Sequence, residues 1–486
     1  MAKYYLRVDA VNIANFVYDT HDVSTIRGGS FLLLTAIENL AIQFKELLHP
    51  IATAASQGIF WFDISDENPE QECQKIRKDV LTHLRDMTKG HATFVAATQQ
   101  EIPGGYNQAL EMLEAQIHWQ QWHVPTITIP SPKDSKKECY LDGWRPGVNE
   151  YRVDPNISDV YVSDTTQYRR NEGRRLRRTL FQRILGDDAY SEDISVKDLE
   201  SLAKEPSKGL LSRKIAFIHA DGNSFGAIRR QLCKNDEDRA AFDETVQAFR
   251  KSFLKTLLEQ AASEQDFQTK DDKGNRALRI EVLLWGGDEM TLVVPAWKGW
   301  QVVELFYKMA TNLQFKDQPL SHRAALIFCH HNAPLLFIRQ LAEDIMQRAK
   351  DDIKALKPTI NHENGDALHY LALESFDMLQ GDLDRFLASY YQNINYTDLL
   401  ISAEDLPTLL NACRTIRSLV ARGQVLKIIR AIQLEAPQDI SAIVQQMIHP
   451  LSRQQAEMLD SAITKLTEIG PSRWYLVSDL WDYLSV

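Results

Sequence analysis

The sequence predicts an α+β protein in which two modules of strand, helix, hairpin and strand are followed by a helical end. Three observations carry that expectation. Apolar, β-branched runs bounded by glycine-containing turns occur within residues 1–125 and again within 214–371. The order of elements in the first set repeats in the second, which suggests duplication. From Ala372 onward leucine and isoleucine recur at three- and four-residue spacing, the mark of amphipathic helices. The expected domains are 1–125, a connector at 126–213, a second module at 214–371, and a helical region at 372–486.

Composition narrows the function classes. The 486 residues, 44% hydrophobic and 25% charged, suffice for two or three cores. A net charge of −11 argues against a nucleic-acid binder that uses its whole surface. No run of about eighteen apolar residues exists, so no membrane span is expected. The opening MAKYYLRVDAV lacks the layout of a signal peptide. Five scattered cysteines with no CxxC spacing predict neither a disulfide framework nor a zinc knuckle, and fit a cytoplasmic location.

In the first module, Tyr4 to Val11 reads as a strand. Gly28-Gly29-Ser30 is expected to open a helix through Leu48, so that Gly29 and Ser30 offer free backbone N–H groups to a phosphate or base. A plain cap by Ser30 is the other reading. Ile51 to Ile64 fits a hairpin and Thr93 to Ala97 a short strand. This hairpin carries Ser56-Gln57-Gly58 where acids would be needed, so no catalytic metal is expected here.

The connector holds loop chemistry at Pro130-Ser131-Pro132, then six arginines within residues 169–178. Helical spacing leaves Leu176 and Leu180 for the core. The arginines form either a solvated face or a phosphate-binding face for nucleotide, product or RNA.

The second module carries the chemistry. Lys214 to Ala220 is a buried-type strand running into Asp221-Gly222-Asn223-Ser224-Phe225-Gly226. Ile280 to Trp285 and Met290 to Val294 flank Gly286-Gly287-Asp288-Glu289, a hairpin with two acids at its tip. Acids in an apolar surround need a cation, and hard oxygen ligands suit Mg²⁺ or Mn²⁺. With strand and hairpin as neighbours, Asp221, Asp288 and Glu289 would share two ions on a triphosphate, the arrangement used for nucleotidyl transfer. Arg323 to His331 reads as a further strand, and Asn332-Ala333-Pro334 leads into a helix with Glu343 and Lys350 two turns apart on one face. Lys350 would hold a β- or γ-phosphate.

An acid ending a strand, a GGDE hairpin, and then a strand and helix bearing Ala342-Glu343-Asp344 and Ala349-Lys350 together resemble the palm-type nucleotide cyclase domain. That domain is shared by GGDEF diguanylate cyclases and by the polymerase-like large subunit of type III CRISPR complexes, which makes cyclic oligoadenylates. The match spans Lys214 to about Lys350. It departs from the family at Asn223, where a second acid is usual, and at Met290, where GGDEF has phenylalanine. Asn15-Phe16-Val17 and Arg27 to Leu33 resemble the degenerate first palm of the CRISPR subunit.

The resemblance implies two ferredoxin-like palm domains, the first degenerate, in a stand-alone relative of that subunit, since no separate domain precedes the first module. It implies a nucleotidyltransferase that makes a cyclic mono- or oligonucleotide signal from a nucleoside triphosphate, ATP favoured, in antiviral defence. Metal would lie on Asp221, Asp288, Glu289 and the Gly222 carbonyl. Nucleotide would contact Asn223, Ser224, Phe225, Gly226, Gly286, Gly287, Lys350, Gly29 and Ser30. An RNA or protein regulator is a further expected partner, no membrane is expected, and one chain would suffice if the two modules share a seam. The alternatives are a scaffold subunit binding RNA or nucleotide without turnover, and a diguanylate cyclase.

Overall fold

A computed structural model describes residues 2–484, apart from 55, 66, 103–104, 125–136, 152–159, 187–193, 272–273, 356–364, 374–381 and 395, and apart from the side chains of 349–355 and 437. The chain is α+β with a helical C-terminal region. Its first sheet takes β1 (Ala2–Ala10), β2 (His49–Thr53), β3 (Gln57–Ile64) and β4 (Phe94–Gln100) in the order β2-β3-β1-β4, antiparallel throughout. Alternation along β1 feeds two cores. Tyr4, Leu6 and Val8 join α2 (Val23–Gln43) and α3 (Pro69–Met87), while Tyr5 on the opposite face joins α4 (Tyr106–His123). The short α1 (Ile13–Val17) lies between β1 and α2.

The second sheet repeats that pattern with β5 (Lys214–Gly222), β6 (Glu281–Gly286), β7 (Glu289–Pro295) and β8 (His322–His330) in the order β6-β7-β5-β8, again antiparallel. It continues through β9 (Ala367–Ala372), parallel to β8, and the two-residue β10 (Ile401–Ser402). That last strand comes from the region read as helical, and two residues are too few to show a period. Helices α6 (Phe225–Leu232), α7 (Asp236–Ser263), α8 (Gly299–Ala310) and α9 (Leu335–Ala355) pack around the second sheet. In each module a helix not foreseen from the sequence, α3 or α8, separates the hairpin from the last strand. The signal for α3 is present: Asn68 caps it, Pro69 opens it, and Cys73, Ile76, Val80 and Leu84 form its buried stripe.

One expectation is corrected. Gly28, Gly29 and Ser30 do not open a helix; α2 starts at Val23, with the Asp22 carboxylate accepting from the Thr25 N–H. The three residues lie inside the helix, where backbone N–H groups are spent on the helical ladder, and Ser30 is buried. Gly28 serves close packing instead: a Cβ there would stand 1.8 Å from the Arg169 carbonyl oxygen, and one on Gly173 would meet the Ser24 carbonyl. The glycines thus let α2 cross tightly against α5 (Asp164–Arg177).

The arginines of α5 are partly internal. Arg169 is fully buried and donates to both Asp19 carboxylate oxygens and to the Phe16 carbonyl, while Arg170 pairs with Asp22. Leu176 and Leu180 are in the core.

Helix α2 also meets the second sheet. The fully buried Arg27 donates through Nε to Glu281 on β6 at 2.8 Å and through Nη2 to the other carboxylate oxygen, with Nη1 on the Gly173 carbonyl. This ion pair crosses the seam between the two modules. At the far side, helices α10 (Leu383–Tyr390), α11 (Leu406–Leu419), α12 (Arg422–Gln433), α13 (Pro437–Ile448), α14 (Arg453–Leu466) and α15 (Trp474–Leu480) form the helical region. It is tied to the second sheet by Asp479, whose carboxylate accepts hydroxyls from Tyr370 on β9 and from Tyr390 and Tyr391, at 2.9 to 3.1 Å. No helix among the described residues is long and apolar enough to cross a membrane.

Two outcomes follow from these buried charges. Glu281→Ala leaves the Arg27 guanidinium buried without its counter-ion and should cost roughly 3–5 kcal/mol in denaturant unfolding. Burial pushes the Asp479 carboxyl from 3.8 up to about 7, against the three hydroxyl bonds. A folded value above the unfolded one means that its contribution is full below the unfolded pKa and is lost as pH rises through the folded one. Asp479→Asn cannot ionise. Thermal scans should therefore show its melting temperature gaining on the wild type between about pH 4 and about pH 7, and a gap independent of pH would count against this reading.

Candidate functional site

The β6–β7 hairpin turns in two residues, because Gly286 pairs with Glu289 and leaves Gly287 and Asp288 at the tip. Gly287 has φ 54°, the positive angle that a type II′ turn requires at its first central position. The tip is held from α7: Arg250 donates to the Gly287 carbonyl, and its guanidinium lies 4.6 Å from the Trp285 ring. Burial lowers the Arg250 pKa to about 10, with Asp288 and Asp243 opposing the fall.

Strand β5 lies between β7 and β8. Met290 pairs with Ala220, and continuing that register by one residue sets Glu289 opposite Asp221. On the other side Asp221 pairs with Arg323. After Asp221 the chain bends at Gly222, where a Cβ would stand 2.6 Å from the Phe225 ring. That ring sits edge-on to Phe242 and His322, which anchors the start of α6. Asn223 donates from its amide nitrogen to the Ser321 hydroxyl at 3.0 Å and to the Gly365 carbonyl at 3.2 Å. Ser224, at φ 57°, sits in the left-handed region, a conformation uncommon outside glycine.

Asp221, Gly222, Asn223, Ser224 and Glu289 line one cavity of about 220 Å³. It lies on the sheet face covered by α9, which contributes Glu343. Sequence reasoning set Glu343 on one helix face with Lys350 and within the Ala342-Glu343-Asp344 motif, and gave it no place at the site. Its partner is Arg339, at 2.5 Å, and the side chain of Lys350 lies outside the described residues. Burial raises the Glu289 pKa; Arg339 opposes the rise, and Asp288 and Glu343 add to it. The neighbouring His219 is kept neutral by burial, its pKa lowered to about 3, and shares a 2.9 Å hydrogen bond with Thr291. Tyr18, from the first module, is buried against the same group, with the Arg339 guanidinium 4.8 Å from its ring.

Asp288 does not share this cavity. It lines a second one of about 110 Å³ at the seam, with Gly286, Gly287, Arg229, Asp243 and Arg250. Successive residues along a hairpin limb address opposite faces, so the two tip acids are divided between the two sides of the sheet. The expectation of three carboxylates around one spot therefore becomes two on one side and one on the other. Ala54, at the tip of the first hairpin, also lines the seam cavity, and a Cβ on Gly287 would lie 3.9 Å from the Ala54 Cβ. The two hairpin tips meet.

The first module contains a counterpart that was missed. Asp9 on β1 pairs with Gln57, the residue just past the hairpin tip, as Asp221 lies opposite Glu289. Arg7 donates to both Asp9 carboxylate oxygens, at 3.0 and 2.9 Å, and the Gln57 amide also reaches them, at 3.1 Å. The acid is already satisfied by side chains of its own module. The cue in the sequence was the acid near the end of each first strand, RVDA and IHAD.

No protein-family model and no curated protein matches the chain. Among solved structures, a Csm1-Csm4 cassette in complex with pppApApA aligns with a TM-score of 0.56 at 12% identity, over 99% of this chain and 69% of that one. A Csm1-Csm4 cassette in complex with cA3 aligns with a TM-score of 0.52, also at 12% identity, over 100% of this chain and 70% of that one. With a third, in complex with cA4, the TM-score is 0.43 and the chain spans 53% of its neighbour, about half. At such identity what is shared is the fold. Over its described length this chain is built like Csm1, a component of the type III-A CRISPR-Csm interference complex.

Proposed function

We propose that the chain is a nucleotidyltransferase that joins nucleoside triphosphates, ATP favoured, into a linear and then a cyclic oligonucleotide. The observation that carries this reading is the placement of Asp221 and Glu289, sixty-eight residues apart in sequence, in one cavity beside the Gly222–Ser224 bend. The shared fold supports it, and the neighbouring Csm1-Csm4 cassettes are in complex with pppApApA and cA3, which favours adenine. Both neighbours are paired with Csm4, so a protein partner belongs to the same proposal.

The donor set fits Mg²⁺ or Mn²⁺ in a particular way. Among the described residues no group of three His, Cys, Asp or Glu could hold a metal ion. Mg²⁺ is commonly bound by one or two carboxylates together with substrate phosphates and water. Asp221 and Glu289, with the Gly222 carbonyl, would thus hold it jointly with a triphosphate. The burial-raised pKa of Glu289 marks a carboxylate that a nearby positive charge would favour. When bound, the ion would lower the pKa of the attacking hydroxyl and offset charge on the leaving pyrophosphate.

The chain's own groups position the reactants. A ribose hydroxyl gives its proton to solvent as its oxygen forms a bond to the α-phosphorus of the donor, the bond from that phosphorus to the bridging oxygen breaks, and pyrophosphate leaves. Asn223 has its amide nitrogen committed to Ser321 and Gly365, which turns its carbonyl into the end available to a cation. Arg250 holds Gly287, and so the hairpin tip with Asp288, against the seam. Ser224, Phe225 and Gly226 form the start of α6, beside which a phosphate group would lie.

Intact protein with Mg²⁺ and each nucleoside triphosphate should release pyrophosphate with ATP and yield oligoadenylate, read by liquid chromatography and mass spectrometry. Asp221→Asn and Glu289→Gln should each lower turnover by at least about 100-fold, weaken Mn²⁺ binding, and leave the melting temperature nearly unchanged. Full turnover in either variant would remove the basis of the assignment.

A further inference from the structure

Arg323 stands at the start of β8, and the β5–β8 register sets it directly opposite Asp221. Residues opposite one another across an antiparallel pair share a face, with Cβ atoms about 5 Å apart. Arg323 accordingly lines the cavity that holds Asp221 and Glu289. Among the described residues the charged side chains around that space are three carboxylates, of Asp221, Glu289 and Glu343, and one guanidinium. This mixture decides between ligand classes. A bare divalent ion gains nothing from a guanidinium among its ligands, and a bare anion is repelled by three carboxylates. A metal-bound polyphosphate satisfies both, its cation facing the acids and its oxygens facing the fork of the arginine.

A plainer role for Arg323 is to neutralise Asp221. The first module shows how this fold builds such a neutralisation. There the cation is Arg7, two residues before Asp9 on the same strand, and the neighbour opposite Asp9 on β4 is the buried Val95. In the second module the position two before the acid is His219, buried and hydrogen-bonded to Thr291, and the arginine stands on the adjacent strand. Glu343 already has its own counter-ion in Arg339. The two modules therefore differ together at three places: His219 against Arg7, Glu289 against Gln57, and Arg323 against Val95. A group for the cation and a group for phosphate oxygens are both present in one and both absent from the other.

We propose that Arg323 contacts the polyphosphate of the nucleotide in this cavity, an assignment that rests on the nucleotidyltransferase reading. Two probes separate the roles: Mn²⁺ alone, followed by electron paramagnetic resonance, and inorganic tripolyphosphate with Mg²⁺, followed by calorimetry. For Arg323→Ala the tripolyphosphate affinity should fall roughly 10- to 100-fold while the Mn²⁺ affinity stays within about threefold. Arg323→Lys, which keeps the charge and loses the fork, should give an intermediate fall, and it decides the matter if the alanine variant is unstable. Tripolyphosphate affinity unchanged in the variants would overturn the assignment, as would a loss of Mn²⁺ affinity in step with it, which marks Arg323 as a support for Asp221. Wild-type protein that binds neither probe would overturn the acid-cavity reading and this assignment with it.

Discussion

The antiparallel register of β7, β5 and β8 is the constraint on which the candidate site depends. Asp221, Glu289 and Arg323 come from three strands, and only their alignment brings them to one face. Side chains alternate along a strand, so a slip of one residue would turn Asp221 toward the opposite side of the sheet. The register is held by what surrounds it. Ile218, Phe217 and Ala216 bury both faces of β5, the two-residue turn fixes β6 against β7, and Arg250 ties that turn to α7. A precise polar site is thus supported by apolar packing on either side of it.

The seam between the modules is a second organising feature, and it is built from polar groups as well as packing. The Arg27–Glu281 pair is fully desolvated, so each member depends on the other. Gly28 and Gly173 allow α2 and α5 to approach closely enough for Arg27 to reach the Gly173 carbonyl as well. Tyr18 extends the first module to Arg339, next to the acid cavity, and Ala54 meets the second hairpin tip. The first module therefore shapes the surroundings of the acid cavity in the second.

Comparing the two modules shows how one strand pattern holds an acid in two electrostatic settings. Asp9 is closed in by a guanidinium and an amide from its own sheet, whereas Asp221 faces a cavity with a second carboxylate across from it. In physical terms the first arrangement is closed by side chains of its own module, and the second opens onto a cavity that Glu289, Glu343 and Arg323 also line.

Much of this was legible in the sequence, because its signals are local. Glycine turns between β-branched runs reveal hairpins, three- and four-residue spacing reveals the helical end, and GGDE after an acid-terminated strand singles out Asp221, Asp288 and Glu289. What the sequence could not convey is which of these groups face one another. The division of Asp288 from Glu289, the arrival of Glu343 and Arg323 at the cavity, the start of α2 at Val23 and the burial of Arg169 each depend on contacts between segments far apart in the chain. Local patterns determine elements; register and packing, which arise only when strands and helices meet, decide which side chains share a space.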